Sequence, residues 1–110
     1  MLNRKSIAAI VALILALGTL PALADTVWID VRSSLEHKVD NIEGDTRISH
    51  TDIVSEIEKL HPDRATSIKL YCRSGGRAGK AEQALRAAGY TDVENVGGIG
   101  DARKQRGLLE

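Results

Sequence analysis

Strand-like runs that alternate with helical segments constrain the fold of this 110-residue chain more than any other feature. Residues 26–30, 67–72 and 92–96 are short runs rich in β-branched and apolar side chains, which favour strands. Strands that alternate with helices predict a parallel sheet with helices on both faces. We therefore expect an α/β fold.

Two longer helices are predicted between these runs. The first has one apolar face, with Ser49 or Thr51 as its expected N-cap and Pro62 after its end. The second has its apolar residues at helical spacing, and Gly89 follows it, where a helix end favours positive φ. These two apolar faces are Ile53, Val54, Ile57 and Leu60, and Ala81, Ala84, Leu85 and Ala88. Shorter elements are predicted at residues 33–38 (helix), 46–49 (weak strand) and 101–106 (helix).

The first 24 residues have the pattern of a cleavable signal peptide. Arg4 and Lys5 precede an apolar run over residues 7–17, and small residues follow Pro21 at positions 22 and 24. The alternative is a membrane anchor, but a span needs about 20 apolar residues. We therefore expect residues 1–24 to be removed, export to the periplasm without a stable membrane anchor, and one domain over residues 25–110.

The charge balance argues against a nucleic-acid partner. Without the predicted leader, 13 basic residues face 15 acidic ones, and the two signs are mixed along the chain. Such a chain has no basic field to attract phosphates.

Cys72 is the single cysteine of the chain, and it lies at the end of a predicted strand. An exported protein faces an oxidising compartment, where an unpaired thiol is unusual. The thiol is either a small buried apolar group or a reactive nucleophile. Its neighbours favour the second interpretation.

The loop after Cys72 is suited to an anion. A helix is predicted to begin near Arg77 or Ala78, and the loop before it consists of Arg73, Ser74, Gly75 and Gly76. A glycine turn exposes backbone N–H groups, and the helix N-terminus and both arginines add positive charge. A free thiol has a pKa of about 8.5, so these groups predict a thiolate at neutral pH. Arg73 to Arg77 form the predicted substrate-binding loop; Ser74 either donates a hydrogen bond or fills the turn.

A metal or cofactor site is not indicated. The chain has one cysteine, and His37, His50 and His61 are scattered, without the spacing of metal ligands. We expect these histidines to be surface residues.

The segments around the cysteine resemble the rhodanese family of sulfurtransferases. The resemblance rests on "WIDVR" at residues 28–32, "YCRSGGR" at 71–77 and "GYTDVENVGG" at 89–98. It implies a rhodanese-like single domain over the mature chain. Residues 41–49 depart from the family pattern, since only Ile42, Gly44 and Ile48 fit it.

The resemblance implies sulfur transfer from thiosulfate to cyanide or a thiol through a persulfide on Cys72. Asp30 and Arg32 are at the end of the first predicted strand and could lie near the site, but the resemblance implies a structural ion pair between them. We expect Trp28 to be a core residue. The expected partners are a small anionic sulfur donor and a nucleophilic acceptor. We expect no cofactor, and we expect the enzyme to be a monomer.

Two other functions remain open at this stage. One is a non-catalytic module that carries a persulfide or recognises a partner. The other is a phosphatase or arsenate reductase on a related fold. Those enzymes use a cysteine-x5-arginine loop, whereas Arg77 is five positions after Cys72, which gives the shorter cysteine-x4-arginine form.

Overall fold

A computed structural model describes residues 26–109, so the predicted leader lies outside the described residues. Four parallel strands form one sheet in the order β2-β1-β3-β4, which confirms the predicted α/β class. None of the described helices is long and apolar enough to cross a bilayer. The elements are β1 (Val27–Asp30), α1 (Ser34–Val39), β2 (Thr46–Arg47), α2 (Ile53–Leu60), β3 (Ile68–Cys72), α3 (Gly76–Ala87), β4 (Val93–Gly98) and α4 (Ile99–Gln105).

The central strand β3 divides the core into two clusters. Successive side chains of a strand point to opposite faces. Ile68, Leu70 and Cys72 therefore pack with the apolar faces of α2 and α3. Tyr71 points the other way, into a smaller cluster with Ala102 of α4. Helices thus cover both faces of the sheet, as the alternation of strands and helices predicts.

A polar network closes the smaller cluster. The Tyr71 hydroxyl donates to Asp45 Oδ2 at 2.6 Å, and Arg106 Nη1 contacts the same oxygen at 2.6 Å. The Arg106 guanidinium also lies 4.4 Å from the centre of a Trp28 ring. Trp28, predicted as a core residue, is only half-buried and packs at the edge of this cluster. Its ring contacts the Arg106 guanidinium there and is not enclosed by apolar side chains.

The pairing of β3 with β4 contains an irregularity. Leu70 lies opposite Asn95, but Tyr71 lies opposite Gly97, so Val96 is skipped. Strand β4 continues to Gly98, two residues beyond the predicted run. The prediction ended too early because glycines carry no strand signal.

The predicted cap of α2 is wrong. The helix begins at Ile53, and Asp52 takes the N-cap position without a side-chain hydrogen bond. The hydroxyls of Ser49 and Thr51 instead lie 2.9 Å apart in the preceding turn. Short hydroxyl side chains readily bond to near neighbours, and here that competes with capping.

Other boundaries differ by one or two residues. Gly76 begins α3, one position before the predicted start, and Gly89 follows its end with φ +100°, as predicted. Helix α4 begins at Ile99, two positions early, because Asp101 in its first turn accepts from the Gly98 N–H at 2.8 Å. Ser33 is the N-cap of α1 rather than its first residue, and β2 has two residues rather than four.

Two leucines provide a matched test of the core. Leu85 of α3 is fully buried, whereas Leu60 of α2 is 53% exposed. Leu85→Ala should lower the free energy of unfolding by about 2–5 kcal/mol, since it removes packing and leaves a cavity. Leu60→Ala should cost less than about 1 kcal/mol. Urea unfolding monitored by circular dichroism measures both, and equal losses would contradict the assigned core.

Candidate active site

Cys72 lies at the carboxyl end of β3, at the sheet edge where parallel α/β proteins place their ligands. The side chain is 1% exposed, at the boundary between the core and the loop. Residues 73–75 connect it directly to α3. The thiol is therefore packed in place by the sheet, while its sulfur faces the start of a helix.

Backbone N–H groups converge on the sulfur. The Gly75 N–H donates to Cys72 Sγ at 2.9 Å. Burial by itself raises the pKa of the Cys72 thiol, but hydrogen bonds from four backbone N–H groups outweigh it, so the pKa lies below its ordinary value. The four donors are Ala78, Ser74, Gly75 and Arg77. The structure thus surrounds the sulfur with a nest of backbone N–H groups from the loop and the first turn of α3.

Gly75 allows the loop to turn. Its φ of +104° lies in the left-handed region, which residues with a Cβ rarely adopt. This conformation brings its N–H to the sulfur and makes it the N-cap of α3. Gly76 is the exposed first residue of α3 and is not among the donors that lower the thiol pKa. The Arg73 and Ser74 side chains are exposed beside the loop.

Asn95 of β4 holds this loop, and sequence reasoning missed it. Its Nδ2 donates to the Gly75 carbonyl oxygen at 2.9 Å, and its Oδ1 accepts from the Gly97 N–H at 2.9 Å. The Gly75 carbonyl also accepts the first helical bond, from Gly79. Asn95 therefore ties the loop–helix junction to the neighbouring strand. Only the irregular register of β4 could have indicated this role, and the sequence does not show that register.

Gly98 makes room for the loop from the other side. A Cβ on Gly98 would lie 2.5 Å from the Arg73 carbonyl oxygen, closer than side chains approach backbone atoms. The end of β4 therefore passes directly against the backbone of Arg73, the residue that follows Cys72. The two glycines of "VGG" are needed for this contact and for the turn at Gly97, which has φ +104°.

Arg77 is bonded to a residue that sequence reasoning did not select. Its Nη1 and Nη2 donate to the two carboxylate oxygens of Glu36 at 2.6 and 2.9 Å. These bonds hold the pKa of Glu36 well below its usual range and raise that of Arg77. Glu36 also completes a capping box with Ser33. The Ser-x-x-Glu spacing in the sequence is the signal that could have placed Glu36 at a helix start.

Asp30 and Arg32 form the predicted pair at the end of β1. Arg32 Nε and Nη2 donate to the Asp30 carboxylate at 3.0 and 2.8 Å, and Asp30 is fully buried. Burial acts to raise the pKa of Asp30, but the bonds from Arg32 and His37 outweigh it and lower the pKa.

His37 is not the surface residue that was predicted. It is half-buried, and its Nδ1 lies 2.9 Å from Asp30 Oδ2. The Asp30 carboxylate draws the ring inward, a pairing across seven residues that the sequence does not reveal. Within residues 26–109, no group of three or more His, Cys, Asp or Glu side chains is placed to hold a metal ion.

Comparison with known proteins identifies the family. The family model described as a rhodanese-like domain matches residues 17–101. The chain belongs to the rhodanese family. A curated relative, the thiosulfate sulfurtransferase PspE of Escherichia coli strain K12, is 35% identical over 83 residues, which are 76% of this chain and 80% of that protein.

Solved structures agree with this assignment. A rhodanese with anions from E. coli is 34% identical, has a TM-score of 0.66, and covers 69% of this chain and 89% of its own. The human single-domain sulfurtransferase TSTD1 has a TM-score of 0.60 at 22% identity, covering 82% of this chain and 91% of its own. At this identity, the similarity to TSTD1 shows a shared fold alone. The rhodanese fold of this chain is thus established over its described part.

Asn95 generates a prediction for the rhodanese thiol. Asn95→Ala removes the bond to the Gly75 carbonyl and loosens the nest, so the pKa of Cys72 should rise. Since a hydrogen bond contributes about 0.5–1.5 kcal/mol net, alkylation by iodoacetamide at neutral pH should slow roughly three- to tenfold. In both proteins the rate should fall as pH falls through the thiol pKa, because only the thiolate reacts.

Asn41→Ala is the matched control, since its exposed amide donates to the His37 carbonyl oxygen and not to the loop after Cys72. Its alkylation profile should match that of the unaltered protein. If Asn95→Ala shows the same alkylation profile as Asn41→Ala, the role of Asn95 in holding the loop is wrong.

Proposed function

We propose that this rhodanese is an exported thiosulfate sulfurtransferase that carries the transferred sulfur as a persulfide on Cys72. The observation that carries the proposal is the set of backbone N–H groups around a buried sulfur with a lowered pKa. Membership of the rhodanese family and the similarity to the thiosulfate sulfurtransferase PspE support the choice of donor.

The first half-reaction loads the cysteine. The Cys72 thiolate attacks the outer sulfur of thiosulfate, and a new S–S bond forms. The S–S bond of thiosulfate breaks, and sulfite leaves with the electron pair. Sulfite is a stable anion, so this step needs no general acid to protonate the leaving group. The lowered pKa of Cys72 supplies the nucleophile.

The second half-reaction removes the outer sulfur from the Cys72 persulfide. Cyanide or a thiolate attacks the outer sulfur of the persulfide, and the electron pair of the breaking S–S bond returns to Cys72 Sγ. The N–H groups of the loop then hold the same thiolate as at the start. Both the persulfide and the free thiolate are anions, so one nest serves both states.

The two loop arginines have different surroundings, and this supports different roles for them. Arg73 is exposed and has no ion-pair partner among residues 26–109. Arg77 is held in place by Glu36, which offsets part of its charge but fixes its guanidinium beside the loop. Arg73 then meets the incoming anion, and Arg77 adds a fixed positive potential at the pocket.

Export completes the proposal. The signal-peptide pattern of residues 1–24 supports cleavage after Ala24 and a periplasmic enzyme. N-terminal sequencing of protein recovered from the periplasm tests this: a first residue other than Asp25, or retention in the cytoplasm, would contradict it.

Cys72→Ala should abolish transfer of sulfur from thiosulfate to cyanide, because no other cysteine exists to form the persulfide. The measurement is thiocyanate formation by the mature protein, together with intact mass after thiosulfate treatment. The unaltered protein should gain the mass of one sulfur atom, and the variant should gain none. Retained thiocyanate formation in a folded Cys72→Ala protein would reject the mechanism.

The same assay separates the other functions. Loading without turnover by cyanide or any thiol would favour a persulfide carrier. Rapid hydrolysis of p-nitrophenyl phosphate would favour a phosphatase.

Arg77→Ala should raise the KM for thiosulfate several-fold, because it removes positive charge at the pocket of a dianionic substrate. Lys80→Ala is the matched control, since it removes the same charge from an exposed position on the same helix, α3. Steady-state kinetics at low ionic strength measure both. Equal KM values for the two variants would contradict the role of Arg77.

A further inference from the structure

Helix α1 presents apolar side chains to solvent beside the active-site loop. Leu35 and Val39, one turn apart, are 69% and 79% exposed, and no residue of α1 is buried. Together with the half-buried Ile99 of α4 they line an open cleft of about 440 Å³. Arg73, which follows the nucleophile directly, lines the same cleft.

Polar contacts, rather than apolar packing, hold α1 in place. Glu36 is bonded to Arg77 on α3, and the Asp40 carboxylate to Arg103 Nη2 at 2.7 Å. The Asp40 carbonyl oxygen also accepts from Arg32 Nη2. A short helix normally docks through its apolar side. Here the ion pairs fix the helix, and its apolar side chains are left available for a ligand.

The charges around the cleft are nearly all neutralised. Arg32 is paired with Asp30, and the carboxylates of Glu36 and Asp40 are each paired with an arginine. Among the charged residues that line the cleft, Arg73 is the one for which no ion pair occurs within the described part of the chain. The cleft is therefore largely apolar, with one available cation, Arg73, which is the neighbour of Cys72 in the chain.

We infer that this cleft is the acceptor subsite, and that it selects thiols with an apolar carbon body over small or strongly polar acceptors. The inference rests on the proposed function and deepens it. The acceptor sulfur lies at the Arg73 end, where its thiolate form is favoured, and its carbon chain covers Leu35, Val39 and Ile99. The volume lies within the usual range for small-molecule sites. Thiosulfate and cyanide are too small and polar to use this surface.

The transfer step balances without a further reagent. The acceptor thiolate attacks the outer sulfur of the Cys72 persulfide and forms a new S–S bond. The bond from that sulfur to Cys72 Sγ breaks, and the electron pair stays on Cys72. The products are the acceptor persulfide and the free Cys72 thiolate, with no net oxidation.

A pair of thiols that differ only in chain length tests the subsite. 6-Mercaptohexanol has three more methylene groups than 3-mercaptopropanol and a similar sulfur. With thiosulfate as donor, the longer thiol should have a KM roughly tenfold lower, since part of each added methylene is removed from water. The double variant Leu35→Ser/Val39→Ser should reduce that ratio to about two or less, while its turnover with cyanide stays within about twofold.

Leu60→Ser is the matched control, because it removes an exposed leucine of α2 that does not line the cleft. It should keep the full ratio. Equal KM values for the two thiols in the unaltered protein, or an unchanged KM ratio in the double variant, would overturn the inference. Continued turnover with cyanide in either case would leave the proposed function intact.

A binding measurement does not depend on turnover. Methyl NMR of the Cys72→Ala protein titrated with 6-mercaptohexanol should shift the signals of Leu35, Val39 and Ile99, and leave that of Leu60 unchanged. Absence of these shifts up to millimolar thiol would overturn the inference. If Cys72 of the unaltered protein fails to load from thiosulfate but the shifts occur, the proposed donor fails and the subsite stands.

Discussion

A buried sulfur at the end of a strand, surrounded by backbone N–H groups, is the constraint on which the site depends. Burial disfavours a charged sulfur, and at Cys72 it is the largest single influence on the thiol pKa. Backbone N–H groups reverse its effect, and they can do so only if the loop keeps one shape. The left-handed turn at Gly75 and the amide of Asn95 both maintain that shape. The thiolate is thus stabilised by backbone geometry, more than by any single charged side chain.

The parts of this arrangement that lie close together in the chain are predictable from the sequence. The strand, its terminal cysteine, the glycine turn and the helix start occupy residues 68–76 without interruption, so local patterns suffice to predict them. Gly89 marks the end of α3 for the same reason. The alternation of strands and helices predicts the parallel sheet because few other topologies accommodate it.

The parts that depend on distant residues are not predictable in this way. Glu36 meets Arg77 across 41 positions, and Asn95 reaches Gly75 across 20. The Asn95 contact depends on the register of β4 against β3, which skips Val96. The Glu36 contact depends on β1 and β3 lying side by side, so that the helices after them meet. The capping box of α1 indicates that Glu36 lies in the first turn of a helix, but not that it also bonds to Arg77 in the first turn of α3. The same limit explains His37, whose position follows from the buried Asp30.

The glycine pair at the end of β4 has a consequence for how such a domain diversifies. A side chain at Gly97 would be strained by its positive φ, and a Cβ on Gly98 would clash with the Arg73 carbonyl oxygen. This side of the Cys72 loop is therefore closed to most substitutions. The outward side of α1 carries no such restriction, because its docking relies on carboxylates and leaves neighbouring positions unconstrained. Substitutions on the outward side of α1 can therefore change which ligands bind, while the glycine pair of β4 keeps the surroundings of Cys72 unchanged.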